Sequence, residues 1–312
     1  MRKALIIGLE NYPGNFLKGC HYDAKEIDRV LKQNEDEDNF GCRLLIDDAG
    51  KTIGRVQLRQ NITELFEAPG YETVLLYFSG HGTLNARGGY IVTPDARLYD
   101  EGISMDEILA LANQSEAINK IIILDCCNSG AFGNPQINNG NITQISQGVT
   151  ILTACTRNQN AIQNIFTGLL IEALEGGAAD LTGNITAGSI YWFIDKALGA
   201  WGPRPVFKTV VNSYVPVRKV KPPIPLEVLR KLTGFFETPE YEFLLDPSYE
   251  FTAPEANPDH IIILKNLQKM VSGGLVKPVG EEHMYFAAMN SKSCKLTVLG
   301  QCYWRFVKEG RI

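Results

Sequence analysis

The chain has 312 residues, beyond the usual size of a single domain, so two domains are the default expectation. Its composition is 45% hydrophobic, enough for sizeable cores, and its net charge of −5 argues against a general nucleic-acid binder. Seven cysteines, at 20, 42, 126, 127, 155, 294 and 302, form an odd set without a CxxC pair, which fits neither a disulfide framework nor a zinc knuckle.

Met1-Arg2-Lys3 leads straight into a short apolar stretch, without the long apolar region and cleavage site of a secretory leader. No run of about eighteen apolar residues is present to span a membrane. A cytoplasmic location with no membrane partner is therefore expected. The first strand is Lys3-Ala4-Leu5-Ile6-Ile7-Gly8; a helix over 22–32 then carries Ala24, Ile27, Val30 and Leu31 on one face, and a strand follows at 43–46. A helix near 53–66 precedes the apolar run Val74-Leu75-Leu76-Tyr77-Phe78, and another near 105–112 precedes Ile121-Ile122-Ile123-Leu124. A strand at 149–154, helices near 166–175 and 189–197, and a strand at 206–211 complete the series. Runs that are apolar at every position read as parallel strands covered on both faces. Their alternation with helices predicts an α/β fold, a sheet of about six mostly parallel strands with helices on either side.

The last third reads differently. Val215 to Pro225 is basic and proline-rich, hence extended, and an acidic, aromatic stretch follows to Asp259. A compact pattern comes next: a helix near 261–271, a hairpin over 276–288 turning at Gly280, and a last helix after Thr297, which can cap it. Leu296, Leu299, Tyr303 and Val307 recur at helical spacing there. The expected organisation is a domain over 1–215, a linker over 216–259 and a small α+β domain over 260–312. Residues 265–312 hold eight Lys or Arg against three Glu, which would suit a phosphate backbone, but such an excess is commonly a solvated face. A protein partner is favoured over nucleic acid.

Chemistry concentrates at two strand ends. The 74–78 run closes on Ser79-Gly80-His81-Gly82, and the 121–124 run on Asp125-Cys126-Cys127-Asn128-Ser129-Gly130. Ligands of open α/β sheets bind at these ends, and the 46 residues from His81 to Cys127 leave room for one crossover helix. A thiol becomes a strong nucleophile on losing its proton, which a neighbouring imidazole can take. The main-chain N–H groups of Gly82 and Cys127 could then hold the oxyanion of a tetrahedral intermediate.

At these residues the sequence resembles the caspase-like cysteine peptidases, and more closely the metacaspases and prokaryotic caspase homologues than the animal caspases. The resemblance extends over about residues 1–215. It includes the first strand, Leu17-Lys18-Gly19-Cys20-His21-Tyr22-Asp23-Ala24, Gly148-Val149-Thr150-Ile151-Leu152-Thr153-Ala154-Cys155 and Phe166-Thr167-Gly168-Leu169-Leu170. It implies a caspase-like sheet, His81 as general base, Cys127 as nucleophile of a thioester-forming endopeptidase, and Cys126 as a bystander. It also implies a first specificity pocket at Asp23, Ser79 and Asp125. Carboxylates there favour a substrate cation, so cleavage after Arg or Lys is expected, and no arginine flanks either motif to hold an acidic side chain.

In the family, the stretch after the nucleophile is often cut by the enzyme itself. Here Gly130 through Cys155 contains no Lys, Arg, Asp or Glu, so a single-chain enzyme is expected. Calcium-dependent relatives use an aspartate doublet and a further aspartate beyond the nucleophile; Asp106-Glu107 and Asn134 stand in those places, and no cofactor is expected. The tail resembles, more weakly, a winged-helix module, on Leu296-Thr297-Val298-Leu299-Gly300. A regulated peptidase of bacterial stress or defence is the leading expectation. The rival is a non-catalytic caspase-fold adaptor acting through its tail.

Overall fold

The structure is a computed structural model that describes residues 1–48, 50, 52–85, 87–98, 100–126, 145–154, 165–199, 204–212 and 215–312. It divides into two compact units, one formed by Met1–Ala179 with Asn184–Val220, the other by Asp180–Gly183 with Lys221–Ile312.

The first unit is built on β1 (Arg2–Gly8), α1 (Cys20–Lys32), β2 (Gly41–Ile46), α2 (Arg55–Phe66) and β3 (Thr73–Ser79). Then come β4 (Gly82–Asn85), β5 (Gly88–Arg97), β6 (Asp100–Ser104), α3 (Met105–Gln114) and β7 (Asn119–Asp125). It ends with β8 (Val149–Thr153), α4 (Ile165–Glu172), β9 (Asn184–Ile185), α5 (Ala187–Leu198), β10 (Val206–Val210) and β11 (Arg218–Lys219). Six strands form one sheet in the order β10-β8-β7-β3-β1-β2, parallel except where β10 meets β8. The predicted central sheet and its helices are thus present.

The two faces of the sheet follow from the period of two along each strand. Leu5, Ile7, Leu76, Phe78, Ile122 and Leu124 face one core with Leu58 and Ile62 of α2 and Ile108 of α3. Ala4, Ile6, Leu75, Tyr77, Ile121 and Ile123 face the other, with Ile27 and Leu31 of α1, Leu170 of α4 and Ile190 of α5. Each fully buried aliphatic side chain contributes about 1.5–3 kcal/mol. Register sets the carboxyl ends level: Gly8 pairs with Ser79, and Ser79 with Asp125. At Gly8 a Cβ would lie 2.3 Å from the Cys20 carbonyl oxygen, so α1 starts in direct contact with the end of β1.

One element of this unit is absent from the sequence expectation. Between His81 and α3 the chain forms a three-stranded antiparallel sheet, β4-β5-β6, with a register shift between Val92 and Arg97. Gly88, Gly89, Pro94 and Gly102 interrupt its strands and hide the alternation.

The second unit contains α6 (Leu226–Leu229), α7 (Leu232–Phe235), β12 (Glu242–Leu244), α8 (Pro258–Ser272), β13 (Val276–Val279), α9 (Met284–Met289), β14 (Ser293–Leu296) and α10 (Val298–Lys308). Thr297 caps α10, its hydroxyl accepting from Gly300 N. Two sequence expectations are corrected here. The 216–259 stretch is not a tether: Val217 is buried in the first unit, and Val228, Leu229, Leu232, Phe236, Leu245 and Tyr249 join Leu264, Leu267 and Met270 in the core of the second. The hairpin expected over 276–288 is only half present. Met284–Met289 is helical, and β13 pairs instead with β14 in the sheet β12-β14-β13. Among the described residues no helix is long and apolar enough to cross a membrane.

Candidate active site

His81 lies two residues beyond Ser79, and Cys127 two beyond Asp125, the residue paired with Ser79. The two functional candidates therefore leave adjacent strand ends. Cys127 itself lies outside the described residues, as do Cys155, the 133–141 loop and Asn134. Cys126, the neighbouring thiol, is buried.

His81 is fixed from two sides. Its Nε2 is 3.1 Å from the Asn15 carbonyl oxygen, which can only accept, so Nε2 carries a proton and Nδ1 is the basic nitrogen of the neutral ring. Its main-chain N–H donates to Tyr12 Oη at 3.0 Å, and its ring meets the Tyr12 ring edge-on, centroids 4.5 Å apart. Tyr12 Oη in turn donates to the Val92 carbonyl at 3.3 Å, and Val92 N donates to the His81 carbonyl at 2.9 Å. Burial holds the Tyr12 phenol well above its ordinary pKa, so it serves as a neutral hydrogen-bonding post. Beside it, Tyr12, Asn15, His81, Gly82, Val92 and Pro94 line a cleft of about 370 Å³. Gly82 opens β4 on its rim.

Asp23, Ser79 and Asp125, distant in sequence, come together at the same strand ends. Ser79 Oγ donates to Asp23 Oδ2 at 3.3 Å. Thr167 Oγ1 donates to Asp125 Oδ2 at 2.6 Å, and since its proton is used there, Tyr77 Oη must be the donor in its own 2.6 Å contact with Thr167. Burial pushes the Asp23 carboxyl up to about 7, the Asp125 charge adds to this, and the Ser79 hydrogen bond opposes it. Burial also lifts Asp125 to about 6, against the hydroxyl and main-chain N–H of Thr167. Neither carboxylate has an ion-pair partner among the described residues. Cys20 adjoins Ser79 as a neutral thiol, pushed up to about 12 by burial.

A second polar group, missed in the sequence, lies at the ends of β1 and β2. His21 Nε2 is 2.6 Å from Asp47 Oδ1, and its Nδ1 is 3.5 Å from Glu10 Oε2. Burial pushes Asp47 up, but hydrogen bonds from His21 and the main-chain N–H groups of Glu10 and Asn11 outweigh it and leave the group below its ordinary range. Tyr12, Asn15 and Thr167 were also missed as site residues. The Pro13-Gly14 dipeptide was the available signal for the turn that presents Asn15. Of the residues weighed for calcium, Glu107 is engaged in a two-pronged pair with Arg59 at 2.5 and 3.0 Å, and Ser104 caps Asp106 N. Among the described residues no group of three His, Cys, Asp or Glu is arranged to hold a metal ion.

A mainly parallel six-stranded sheet with helices on both faces is the caspase-like architecture. The chain belongs to the caspase domain family (Peptidase_C14), whose model matches residues 1–191. It is similar to "Metacaspase III c" of Phaeodactylum tricornutum, 29% identical over 147 residues, which cover 41% of this chain and 43% of that relative. The chain therefore spans under half the length of the curated relative it matches. Among solved structures it is similar to a Geobacter sulfurreducens protein, with a TM-score of 0.50 and 18% identity over 68% of this chain and 94% of the other. It is likewise similar to caspase-1 of Spodoptera frugiperda, with a TM-score of 0.50 and 12% identity over 70% of this chain and 90% of that one. At such identities these two likenesses establish the fold.

Proposed function

We propose that the chain is a cysteine endopeptidase that cleaves protein substrates after Arg or Lys, through a His81–Cys127 dyad and a thioester acyl-enzyme. The observation that carries this reading is the orientation of His81: Asn15 holds the Nε2 proton, which leaves Nδ1 as a base at the strand end next to the one that leads into Cys127. Nδ1 takes the thiol proton, and the thiolate attacks the scissile carbonyl carbon. The oxyanion formed accepts from the main-chain N–H groups of Gly82 and Cys127. Collapse breaks the C–N bond, the leaving amine takes the proton from the imidazolium, and the thioester remains. Water, losing its proton to Nδ1, then attacks the thioester and frees the acid and the thiol.

The basic preference is supported by Asp23 and Asp125. Two carboxylates held in a desolvated site, with no cation paired to them among the described residues, are neutralised by an arriving guanidinium or ammonium group. A working thiol is best kept in a reducing compartment, which supports a cytoplasmic site of action. The absence of charged residues from 130 to 155 supports a single-chain enzyme.

The second unit is proposed to regulate or recruit the peptidase through a protein partner, as a winged-helix-like module and in the stress or defence setting that the family resemblance implies: its basic 265–312 segment is folded together with the acidic 227–259 segment, so the unit carries no excess of positive charge. Deleting 221–312 is expected to keep cleavage while changing its control. Steep loss of DNA affinity with rising salt would instead reveal a nucleic-acid partner.

The decisive experiment is cleavage of a positional peptide library. Cys127→Ala and His81→Ala should each lower kcat/KM by a factor on the order of 10⁴, whereas Cys126→Ala should retain most activity. Undiminished cleavage in Cys127→Ala sinks the dyad, a preference for Asp sinks the pocket, and no cleavage by the native chain favours the adaptor.

A further inference from the structure

We propose that Glu10, His21 and Asp47 are positioning residues for the reaction, a partly buried brace at the neck of the β1–α1 loop whose tip orients His81. The inference rests on the reading of His81 and Cys127 as the catalytic dyad.

The neck is tied at every level. Glu10 Oε1 accepts from Gly19 N at 2.8 Å and His21 N at 2.9 Å, and the Glu10 carbonyl accepts from Leu17 N at 3.0 Å, which closes the loop on itself. Asp47, fully buried at the end of β2, accepts from Glu10 N at 2.9 Å and Asn11 N at 2.8 Å. His21 stands between the two carboxylates, one ring nitrogen toward each, so a protonated imidazole can donate to both.

Beyond Tyr12, which is buried in the first core, the tip has less to hold it. Tyr12-Pro13-Gly14-Asn15 is a turn closed by Asn15 N on the Tyr12 carbonyl at 3.0 Å, with Gly14 at φ +72°, as a Pro-Gly turn requires. Pro13, Gly14, Asn15 and Phe16 are exposed. The Asn15 carbonyl and the Tyr12 hydroxyl are nevertheless the two groups that fix His81. The position of Asn15 is therefore set between the neck and the buried Tyr12, although none of the hydrogen bonds of Glu10, His21 or Asp47 reaches His81 itself. A base moved by about 1 Å can lose some two orders of magnitude in rate.

The test uses the full chain. Asp47→Asn and His21→Gln keep the side-chain size while weakening the brace. Each is compared with the native chain for kcat and KM on an Arg-containing peptide, and for the rate of Cys127 alkylation by iodoacetamide, read at that residue by peptide mapping. We expect kcat to fall about 10- to 100-fold with KM within about twofold, and alkylation to slow with it. In the His81→Ala background the same substitutions should slow alkylation no further, because the brace acts through that imidazole. Should Asp47→Asn fail to fold, His21→Gln decides. A folded brace variant with native kcat overturns the proposal, and so does equal slowing of alkylation with and without His81. Cleavage surviving in Cys127→Ala would instead overturn the dyad, and with it the role of the brace in the reaction.

Discussion

Two groups of carboxylates sit at the carboxyl ends of neighbouring strands, and their surroundings treat them in opposite ways. Asp47 is fully buried yet held below its ordinary pKa, because two main-chain N–H groups and the His21 imidazole meet its oxygens. Asp23 and Asp125 receive hydroxyls and one main-chain N–H, and burial lifts them to about 7 and about 6. A buried charge with a complete set of donors belongs to the scaffold; one left short of them is suited to meet a cation that arrives from outside.

The largest effect that could break this contrast is on specificity. Asp125→Asn or Asp23→Asn should remove about 2 to 5 kcal/mol of transition-state binding for an Arg-containing peptide, and should spare a neutral peptide. Equal loss on both substrates would mean that the pair supports the fold and not the pocket.

Stability should respond with opposite signs. Asp47→Asn breaks a buried pair and should cost about 3–5 kcal/mol in urea unfolding. Asp23→Asn removes an acid whose ionisation burial opposes and should raise Tm at neutral pH by about 2–4 °C. Destabilisation by both substitutions would erase the distinction.

The pH dependence sharpens it. The folded Asp23 titrates near 7 and the unfolded one near its ordinary 3.8, so between them the fold holds a proton that the unfolded chain has released. Its stabilising contribution is complete below about pH 4 and is lost as pH rises through 7. Asp47, depressed in the fold, contributes above pH 3.8 and fades as pH falls through its folded value. Comparing native and Asp23→Asn chains by denaturation at pH 5 and pH 7.5 should show a larger loss in the native chain, because Asp125, raised to about 6, titrates in both, while cleavage after Arg should rise over the same interval.

Smallest of all, Thr167→Val should lower kcat/KM on basic peptides about tenfold by removing the hydroxyl that orders Asp125. An unchanged value would make Thr167 a packing residue.

The sheet was legible because β1, β3, β7 and β8 are covered on both faces and their apolar runs are unbroken. The β4-β5-β6 sheet was not, since glycines and a proline break its pattern. In the second unit, eight acidic residues over 227–259 suggested a linker, whereas Leu232, Phe236 and Leu245 between them face a core. Met284-Tyr285-Phe286-Ala287-Ala288-Met289 is too short for its periodicity to separate strand from helix, and its Ala and Met residues favour the helix observed. Of the proposed site, His81, Cys127 and Asp125 stand out by their local motifs. Tyr12, Asn15, Glu10 and Asp47 do not, because their roles arise only when chain segments far apart in sequence are folded together.

The missing side chain at Gly8 ties these features together. A methyl group there would strike the Cys20 carbonyl and the Ala24 side chain, so α1 would have to move as a body. Its first turn bears both His21 and Asp23, one in each group of acids. Position 8 is thus a shared point of failure: a lineage can drift at the brace or at the pocket separately, but at this residue a single substitution disturbs both inheritances at once.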